Sequence, residues 1–330
     1  IETLAKKYPK DVYYVSSNIN DKIENIVVEN IFIGNGLLMN IFFLIIRAQN
    51  IFLTLTDLDN HAVKKTKNIG KYIYYFHAPV STTKIYTSTA FDNYDIILCN
   101  GDYHIDEIKK RERIKKIKEK KLIKTGYFYF DYLRDRLNTQ SEANEILIAP
   151  SWNYNQKDFI NENLEEIIQS VLDKGYTVKF RPHPESFKRS MQTINHFKKK
   201  FLNDKFTLDE SSENIRSMEN AKCLITDSSG IAIEFILLFK KPVLYFEGND
   251  KIHNTEFNRY SDLITMDQKV RDKFGYTFKR ENINDLDLLI RKSTTEFVDK
   301  DVEIKNFLNN NFYNYGSTAK YFNDLIDKDL

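Results

Sequence analysis

Short apolar runs alternate with amphipathic stretches along the chain, and this alternation constrains the fold more than any other feature. The runs are rich in β-branched and aromatic residues and many lack a strict apolar–polar alternation, which is typical of strands buried on both faces. A stretch such as 158–174, with Ile and Leu at helical spacing and Gly175 as a stop, predicts an amphipathic helix. Strand–helix alternation predicts parallel sheets with right-handed crossovers. The predicted strands are residues 12–16, 25–28, 51–55, 72–76, 95–99, 146–149, 177–180, 222–226 and 242–246.

With 330 residues, the chain is long enough for two such domains, each with its own core. A polar stretch from Leu137 to Asn144 separates the halves and is interpreted as the interdomain linker. We therefore expect an α/β protein with two Rossmann-like, doubly wound domains that face each other across a cleft. The predicted divisions are residues 1–138, residues 139–305, and a C-terminal helix at 306–330 that could cross back to the first domain.

The composition is that of an ordinary globular protein, with 42% hydrophobic and 29% charged residues and a net charge of +2. Cys99 and Cys223 lie in strand-like apolar runs, so we expect buried free thiols rather than a disulfide. This cysteine usage favours a cytoplasmic protein. The longest apolar run, from Leu37 to Ile46, is about half as long as a membrane span requires and is interpreted as a buried element.

A basic run extends from Lys109 to Lys124 and contains ten basic and two acidic residues. One interpretation is a solvated helix with a thin apolar stripe. The other is a patch that attracts anionic lipid, which would place the protein peripherally at the inner face of the cell membrane. Nucleic acid is not an expected partner, because aromatic residues are not interleaved with the basic ones.

A small polar turn, from Asp227 to Gly230, joins an apolar strand directly to a helix. The backbone N–H groups of such a turn, the Ser228 and Ser229 hydroxyls and the positive end of the helix dipole suit a phosphate. Gly230 would let a ligand approach the backbone closely. An ordinary helix N-cap would explain the same residue types, so the turn by itself leaves both interpretations open.

Two acidic residues at this turn also have alternative roles. Asp227 could accept a hydrogen bond from a ribose or acceptor hydroxyl, or it could cap the helix. Glu234 lies in the first turns of the same helix and could hold a ribose hydroxyl or be solvated.

Two histidines follow predicted strands. In the segment Arg181-Pro182-His183-Pro184 the prolines fix a rigid turn, so that His183 is preorganised beside Arg181 as phosphoryl transfer requires. His77 ends a strand in the first half and could face His183 across the cleft as the general base for an acceptor hydroxyl. The alternative for each histidine is a structural role.

Asp57 and Asp59 form an Asp-x-Asp pattern in a loop after a predicted strand. The spacing occurs in metal sites, but other carboxylates do not cluster nearby, so neither a metal nor a cofactor is predicted. A loop that lines the acceptor side of the cleft is favoured instead.

A series of short segments in a fixed order covers most of the chain. They are His77-Ala78-Pro79, Thr125 to Leu133, Ile148 to Trp152, His183-Pro184, Thr226 to Ser229, Phe235 followed by Lys241-Pro242-Val243, and Tyr315-Gly316-Ser317. In this order and spacing they resemble the CDP-glycerol glycerophosphotransferase family, whose members build poly(glycerol phosphate) in teichoic acids and related capsule polymers. The chain departs from the family pattern where His-Ala replaces His-Gly and where a Tyr is missing after Asp227. The segment from Thr226 to Glu234 is also similar to UDP-N-acetylglucosamine 2-epimerases, although two of their N-terminal motifs are absent.

The resemblance implies a GT-B fold with the donor nucleotide in the second domain. It implies catalytic roles for His77 and His183, and contact of Thr226, Ser228 and Ser229 with the donor phosphates. The expected reaction transfers glycerol phosphate, or a related phospho-polyol, from CDP-glycerol or a related donor to a hydroxyl of a glycan or lipid-linked acceptor and releases CMP. One alternative is a GT-B glycosyltransferase or epimerase-like enzyme that uses a nucleotide sugar. The other is a non-catalytic glycan- or nucleotide-binding protein.

Overall fold

The computed structural model describes residues 1–24, 28–60, 63–134, 136–137, 144–152, 163–201, 205–211, 214–248 and 251–329. The chain divides into two compact units. The first comprises Ile1–His77, Tyr86–Asp131 and Phe312–Leu330, and the second comprises Ala78–Ile85 and Tyr132–Asn311. The predicted linker lies almost entirely outside the described residues, and the predicted domain limits stay a prediction.

Strands and helices alternate, as the sequence predicts. The strands are β1 (Tyr13–Ser16), β2 (Glu29–Phe32), β3 (Ala48–Leu53), β4 (Ile69–Tyr75), β5 (Ile96–Cys99), β6 (Lys121–Lys124), β7 (Glu145–Ile148), β8 (Thr177–Phe180), β9 (Phe206–Leu208), β10 (Ala221–Thr226), β11 (Val243–Phe246) and β12 (Gly275–Phe278). The α-helices are α1 (Glu2–Lys7), α2 (Leu37–Ile45), α3 (Thr82–Ile85), α4 (Asp102–Lys115), α5 (Phe128–Arg134), α6 (Leu164–Asp173), α7 (Pro184–Arg189), α8 (Met191–Lys200), α9 (Ile215–Asn220), α10 (Ile231–Phe239), α11 (Met266–Phe274), α12 (Leu286–Glu296), α13 (Asp301–Asn311) and α14 (Thr318–Asp329). Short 3-10 helices lie at Phe257–Tyr260 and Arg280–Asp285.

The first unit contains a parallel sheet in the order β3-β4-β5-β6 and a separate parallel pair, β1-β2. Every residue of β5 is buried, as expected for a strand covered on both faces. Phe322 and Leu325 of α14 join the core of this sheet, so the C-terminal helix packs on the first unit.

The second unit contains an all-parallel sheet in the order β12-β11-β10-β7-β8-β9. The chain starts this sheet at β7, extends it on one side through β8 and β9, and then returns to build β10, β11 and β12 on the other side. The order therefore reverses between β7 and β10. In open parallel sheets this switch point is where ligands bind, beyond the carboxyl ends of the strands.

Local signals account for several of these elements. Helix α6 buries Leu164, Ile167, Ile168 and Val171 on one face, and Gly175 follows it with a φ of 88°, as a left-handed stop requires. The first five residues of the predicted helix at 158–174 lie outside the described part of the chain. Cys99 and Cys223 are buried free thiols, as predicted.

The interpretation of the apolar run from Leu37 to Ile46 as a buried element is wrong. The run forms α2, in which Leu37 and Ile45 are 74% and 67% exposed and Phe43 is buried. A nine-residue helix with apolar side chains on nearly every side cannot bury all of them against one sheet. Within the described residues, the structure has no helix long and apolar enough to cross a membrane.

The interpretation of the basic run as one solvated helix is also wrong. Helix α4 ends at Lys115, Lys116 adopts a left-handed φ of 53°, and the run then returns as strand β6. Arg111 is buried and donates to the carbonyl of Thr87 at 2.6 Å. Part of the run is therefore used inside the first unit.

Four strands were not predicted, and one prediction cannot be checked. Strands β2, β6, β9 and β12 are short and polar or irregular in sequence, so apolar runs do not reveal them. The predicted strand at 25–28 falls on residues of which three lie outside the described part of the chain.

Candidate active site

The ends of β7 and β10 are joined through one carboxylate. Asp227, directly after β10, accepts hydrogen bonds from the amide of Ser151 at 2.8 Å and from its hydroxyl at 2.5 Å. The buried Thr226 hydroxyl donates to the carbonyl of Ala149 at 2.7 Å. Both side chains thus fix the two strand ends that flank the switch point.

The turn after Asp227 leads directly into α10. Its Ser228 hydroxyl is buried and has no hydrogen-bond partner among the described residues. Buried hydroxyls normally have a partner, so this one is a donor suited to a ligand at the helix N-terminus. Gly230 has a different local reason, because a Cβ there would lie only 2.9 Å from Cγ1 of Val80. Glu234 is buried in α10 rather than solvated.

His183 occupies the N-cap position of α7. Its Nδ1 accepts a hydrogen bond from the amide of Glu185 at 3.1 Å, and Pro184 begins the helix. Because Nδ1 is the acceptor, the neutral imidazole carries its proton on Nε2. The neutral ring can therefore donate a hydrogen bond from Nε2.

The sequence predicts Arg181 beside a phosphate, and in the structure this residue has partners within the second unit. Its guanidinium lies 2.6 Å from the carboxylate of Asp209 and also donates to Ser211. Burial disfavours the charged form of Asp209, but hydrogen bonds from Ser211, Ser217 and Arg181 outweigh it and lower the pKa of Asp209 to about 2. The Arg181 side chain is thus held in a charge-assisted network.

A cluster that sequence reasoning missed surrounds the indole of Trp152. The Nζ of Lys251 and the Cζ of Arg189 lie 5.0 and 5.2 Å from the ring centroid. The ring centroids of His253 and His183 lie 5.1 and 5.7 Å from that of the indole. Because Trp152 directly follows Ser151, this cluster is tied to the Asp227 turn. A search for polar residues after every predicted strand would have included Lys251 and His253, which follow β11.

The titratable members of this cluster have shifted pKa values. Burial lowers the pKa of Lys251 to about 8, although Asp227 and Asp267 favour its charged form. Burial and the charge of Lys251 lower the pKa of His253 to about 4, so this ring is neutral at physiological pH. Such perturbed groups in one place favour a functional site.

The segment Ala78–Ile85 packs within the second unit. The Asp267 carboxylate accepts the amide of Ser81 at 3.0 Å, and the Asn254 amide group donates to the carbonyl of Thr83 at 2.7 Å. Burial raises the pKa of Asp267. These contacts hold the residues that follow His77 in the chain.

His77 itself belongs to the first unit, and His183 to the second. The carbonyl of His77 accepts the Tyr127 hydroxyl at 2.9 Å, and desolvation lowers the pKa of its imidazole. The pairing of His77 with His183 stays a prediction.

Asp57 and Asp59 have internal roles in their loop. Asp57 is buried and accepts hydrogen bonds from the hydroxyls of Thr87 and Thr89 at 2.8 and 2.5 Å. Asp59 accepts the amide of Lys65 at 3.1 Å. Both adopt left-handed backbone conformations, with φ values of 58° and 69°. No group of three or more His, Cys, Asp or Glu residues suited to a metal ion occurs in the described part of the chain.

The Gly126-to-Asp131 segment supports the fold of the first unit. The carboxylate of Asp131 accepts the amides of Gly316 and Thr318 at 2.8 and 2.6 Å, at the start of α14. Gly126 has a φ of 97°, and a Cβ there would lie 2.1 Å from the carbonyl oxygen of Tyr313. Two segments that resemble the family are therefore partners in one structural contact.

Solved structures with the same architecture include two relevant neighbours. The wall teichoic acid polymerase TagF is similar over 99% of this chain and 84% of its own, with 16% identity and a TM-score of 0.59. The UDP-GlcNAc 2-epimerase of Methanocaldococcus jannaschii, in complex with UDP-GlcNAc and UDP, is similar over 93% of this chain and 86% of its own, with 14% identity and a TM-score of 0.54. These similarities confirm the predicted α/β class and GT-B fold.

The sequence gives a more specific result than these structural likenesses. No curated protein is significantly similar to it. However, residues 61–266 match the family described as CDP-Glycerol:Poly(glycerophosphate) glycerophosphotransferase. This match covers more than half of the chain and includes His77, His183 and the turn from Asp227 to Gly230, so the chain belongs to the CDP-glycerol:poly(glycerophosphate) glycerophosphotransferase family.

Proposed function

We propose that the protein transfers glycerol phosphate from CDP-glycerol to a hydroxyl of a glycan or lipid-linked polymer and releases CMP. Family membership supports the donor and the reaction class. The observation that carries the assignment to a site is the dipeptide Ser151-Trp152, which contacts both candidate turns. Ser151 is bonded to Asp227, and the Trp152 ring lies 5.7 Å from that of His183.

The proposed reaction is an in-line displacement at phosphorus. The acceptor hydroxyl oxygen forms a bond to the phosphorus that carries glycerol, and the bond from this phosphorus to the bridging oxygen of the diphosphate breaks. The electron pair of that bond leaves with CMP, and the hydroxyl proton passes to His77. One acceptor and one CDP-glycerol thus give one phosphodiester, one CMP and one proton.

In this proposal the second unit binds the diphosphate. The Ser228 hydroxyl, the Ser229 hydroxyl and the amides at the start of α10 would donate to its oxygens. His183 would donate from Nε2 to an oxygen on which charge develops, because its Nδ1 is already the helix-cap acceptor.

The other predicted donor residues would then act as positioning residues. Thr226 and Asp227 hold the ends of β10 and β7 together, and Arg181 anchors the turn that carries His183. Glu234 is buried in α10, so a ribose hydroxyl would contact its carboxylate only by reaching into the interior of the second unit. Asp57 and Asp59 would shape the acceptor-side loop through the contacts of Asp57 with Thr87 and Thr89.

We further propose that the exposed part of the basic run contacts anionic lipid at the inner face of the cell membrane. Lys109, Arg113, Lys118, Lys121 and Lys124 are exposed, whereas Arg111 is buried. Each exposed cation near such a surface contributes about 1 kcal/mol. Co-sedimentation with vesicles containing anionic lipid, against neutral vesicles, tests this contact; equal binding to both would contradict it.

The donor and reaction are tested together by product analysis. The protein is incubated with an acceptor polymer and with CDP-glycerol or UDP-GlcNAc. We expect CMP and a new phosphodiester from CDP-glycerol. Release of a nucleoside diphosphate, or epimerisation of UDP-GlcNAc, would overturn the proposal in favour of a nucleotide-sugar enzyme, and binding without turnover of either would favour a non-catalytic protein.

A further inference from the structure

Lys251 has an unusual position for a lysine. Its ammonium lies 5.0 Å from the centroid of the Trp152 ring, and the side chain is half-buried. Cation–π contact of this kind is attractive and becomes stronger as the cation loses water. Among the described residues Lys251 has neither an ion pair nor a side-chain hydrogen bond, so the ring is the partner that holds it.

Nearby carboxylates act on this ammonium at a distance but are engaged elsewhere. Asp227 accepts two hydrogen bonds from Ser151, and Asp267 accepts the amide of Ser81. A half-buried ammonium without a direct counter-ion is costly, and an anionic ligand would remove that cost. The titratable and charged groups around Lys251 and its ring are Asp227, Asp267, His253, His183 and Arg189.

The location of Lys251 specifies the anion. Trp152 follows Ser151, which is bonded to Asp227, and Asp227 is followed by the unpartnered hydroxyl of Ser228. The indole also contacts His183. Lys251 therefore lies beside the Trp152 ring, which is close to the two groups proposed to bind the donor phosphates. These groups are His183 and the hydroxyl of Ser228.

We infer that Lys251 binds the phosphate of the cytidine nucleotide, both in the donor and in the CMP that leaves. This inference rests on the proposed function. Trp152 holds the Lys251 ammonium in place before the nucleotide binds, so that little side-chain entropy is lost on binding. The same residue then gives the departing CMP a counter-charge while the bond to it breaks.

Calorimetric titration of the full chain with CDP, CMP and cytidine tests the role. We expect Lys251→Met to weaken CMP binding by roughly tenfold to a hundredfold and to leave cytidine within about twofold, because cytidine lacks the phosphate. Lys279→Met is the matched control. Lys279 is exposed and follows β12 in the same unit, and its ammonium forms a surface ion pair with Glu247. The same loss of charge there should leave CMP binding unchanged.

A pH series separates a phosphate contact from a merely structural role. Because the pKa of Lys251 is lowered to about 8, wild-type CMP affinity should fall as pH rises from 7 to 9, whereas Lys251→Arg should retain it. This comparison also decides the matter if Lys251→Met fails to fold. The inference is overturned if Lys251→Met binds CMP as wild type does, if it loses cytidine equally, or if Lys251→Arg shows the same pH dependence. Failure of the wild type to bind any cytidine nucleotide would instead overturn the proposed function.

Discussion

Asp227 and Ser151 form a two-point contact, in which one carboxylate accepts both the amide and the hydroxyl of the serine. The contact bridges the carboxyl ends of β10 and β7, which flank the switch point of the sheet. It sets the direction in which the chain leaves each strand. Trp152 follows Ser151 after β7, and Ser228 follows Asp227 after β10. The contact between Asp227 and Ser151 therefore positions both Trp152 and the Ser228 turn in the candidate site.

Replacing Asp227 with Ala should therefore damage both stability and nucleotide binding. The Ser151 amide and hydroxyl would lose a charged acceptor, which we expect to cost about 2 kcal/mol of unfolding free energy. Misplacement of Trp152 and Ser228 should lower kcat/KM by roughly tenfold or more. Urea unfolding and CMP release measure the two effects. Ser151→Ala removes only the hydroxyl bond and should cost about half as much; an equal or larger loss in Ser151→Ala would contradict this account.

His183 has two roles that a pair of substitutions can separate. His183→Ala removes the acceptor for the Glu185 amide and should cost about 1 kcal/mol in addition to activity. Asn can keep the cap through Oδ1, but its amide nitrogen lies closer to the backbone than Nε2 of the imidazole. His183→Asn should therefore retain stability and still lose roughly a hundredfold or more in kcat. Thermal unfolding and single-turnover CMP release check both variants. A fully active His183→Asn enzyme would exclude His183 from the chemistry.

Much of the fold follows from local sequence patterns. Strands such as β10 and helices such as α6 combine a strong apolar pattern with a clear stop, and the structure has both. Strand β6 is different, because its sequence, Lys-Leu-Ile-Lys, continues a basic run, and only pairing with β5 makes it a strand. Helix α2 shows the reverse case, since its apolar sequence predicts burial that a single-sided contact cannot provide.

In the candidate site, too, local sequence predicts some residues and not others. His183 and Ser228 could be identified from the sequence because each lies in a turn whose chemistry is local. The contact of Lys251 with Trp152 could not, because it depends on the order of strands in the sheet. The segment containing Gly126 and Asp131 was informative about the family, yet its observed contacts support the fold.

The Asp131 contact with α14 should be important for the stability of the first unit. Asp131→Ala removes the acceptor for two amides at the helix start, Gly316 and Thr318, and should cost about 1–2 kcal/mol. Asp324→Ala, on the exposed face of the same helix, is the control and should change stability by less than about 0.5 kcal/mol. Equal midpoints for the two variants in urea would show that the cap is not stabilising.

Gly126 provides a stronger test of the same contact. Gly126→Ala would combine a left-handed φ with a clash against the carbonyl of Tyr313, and we expect a loss on the order of 3 kcal/mol. Gly175→Ala is the informative comparison, because Gly175 also has a positive φ but its Cβ would have nothing within 4 Å. Its cost should be about 1 kcal/mol. If Gly175→Ala were the more damaging of the two in urea unfolding, crowding at Gly126 would not be the cause.

The pH dependence of the reaction should identify the general base. Desolvation lowers the pKa of His77 below its ordinary value of 6.5. A base must be deprotonated to accept the hydroxyl proton, so kcat/KM should rise with pH through a midpoint below 6.5. His77→Gln should abolish this acid limb of the pH profile and lower kcat roughly a hundredfold or more. His196→Gln is the control. His196 is exposed and hydrogen-bonded to Glu165, so this variant should keep the acid limb and the wild-type kcat. A midpoint well above 6.5, or an acid limb that survives in His77→Gln, would assign the proton transfer to a different group.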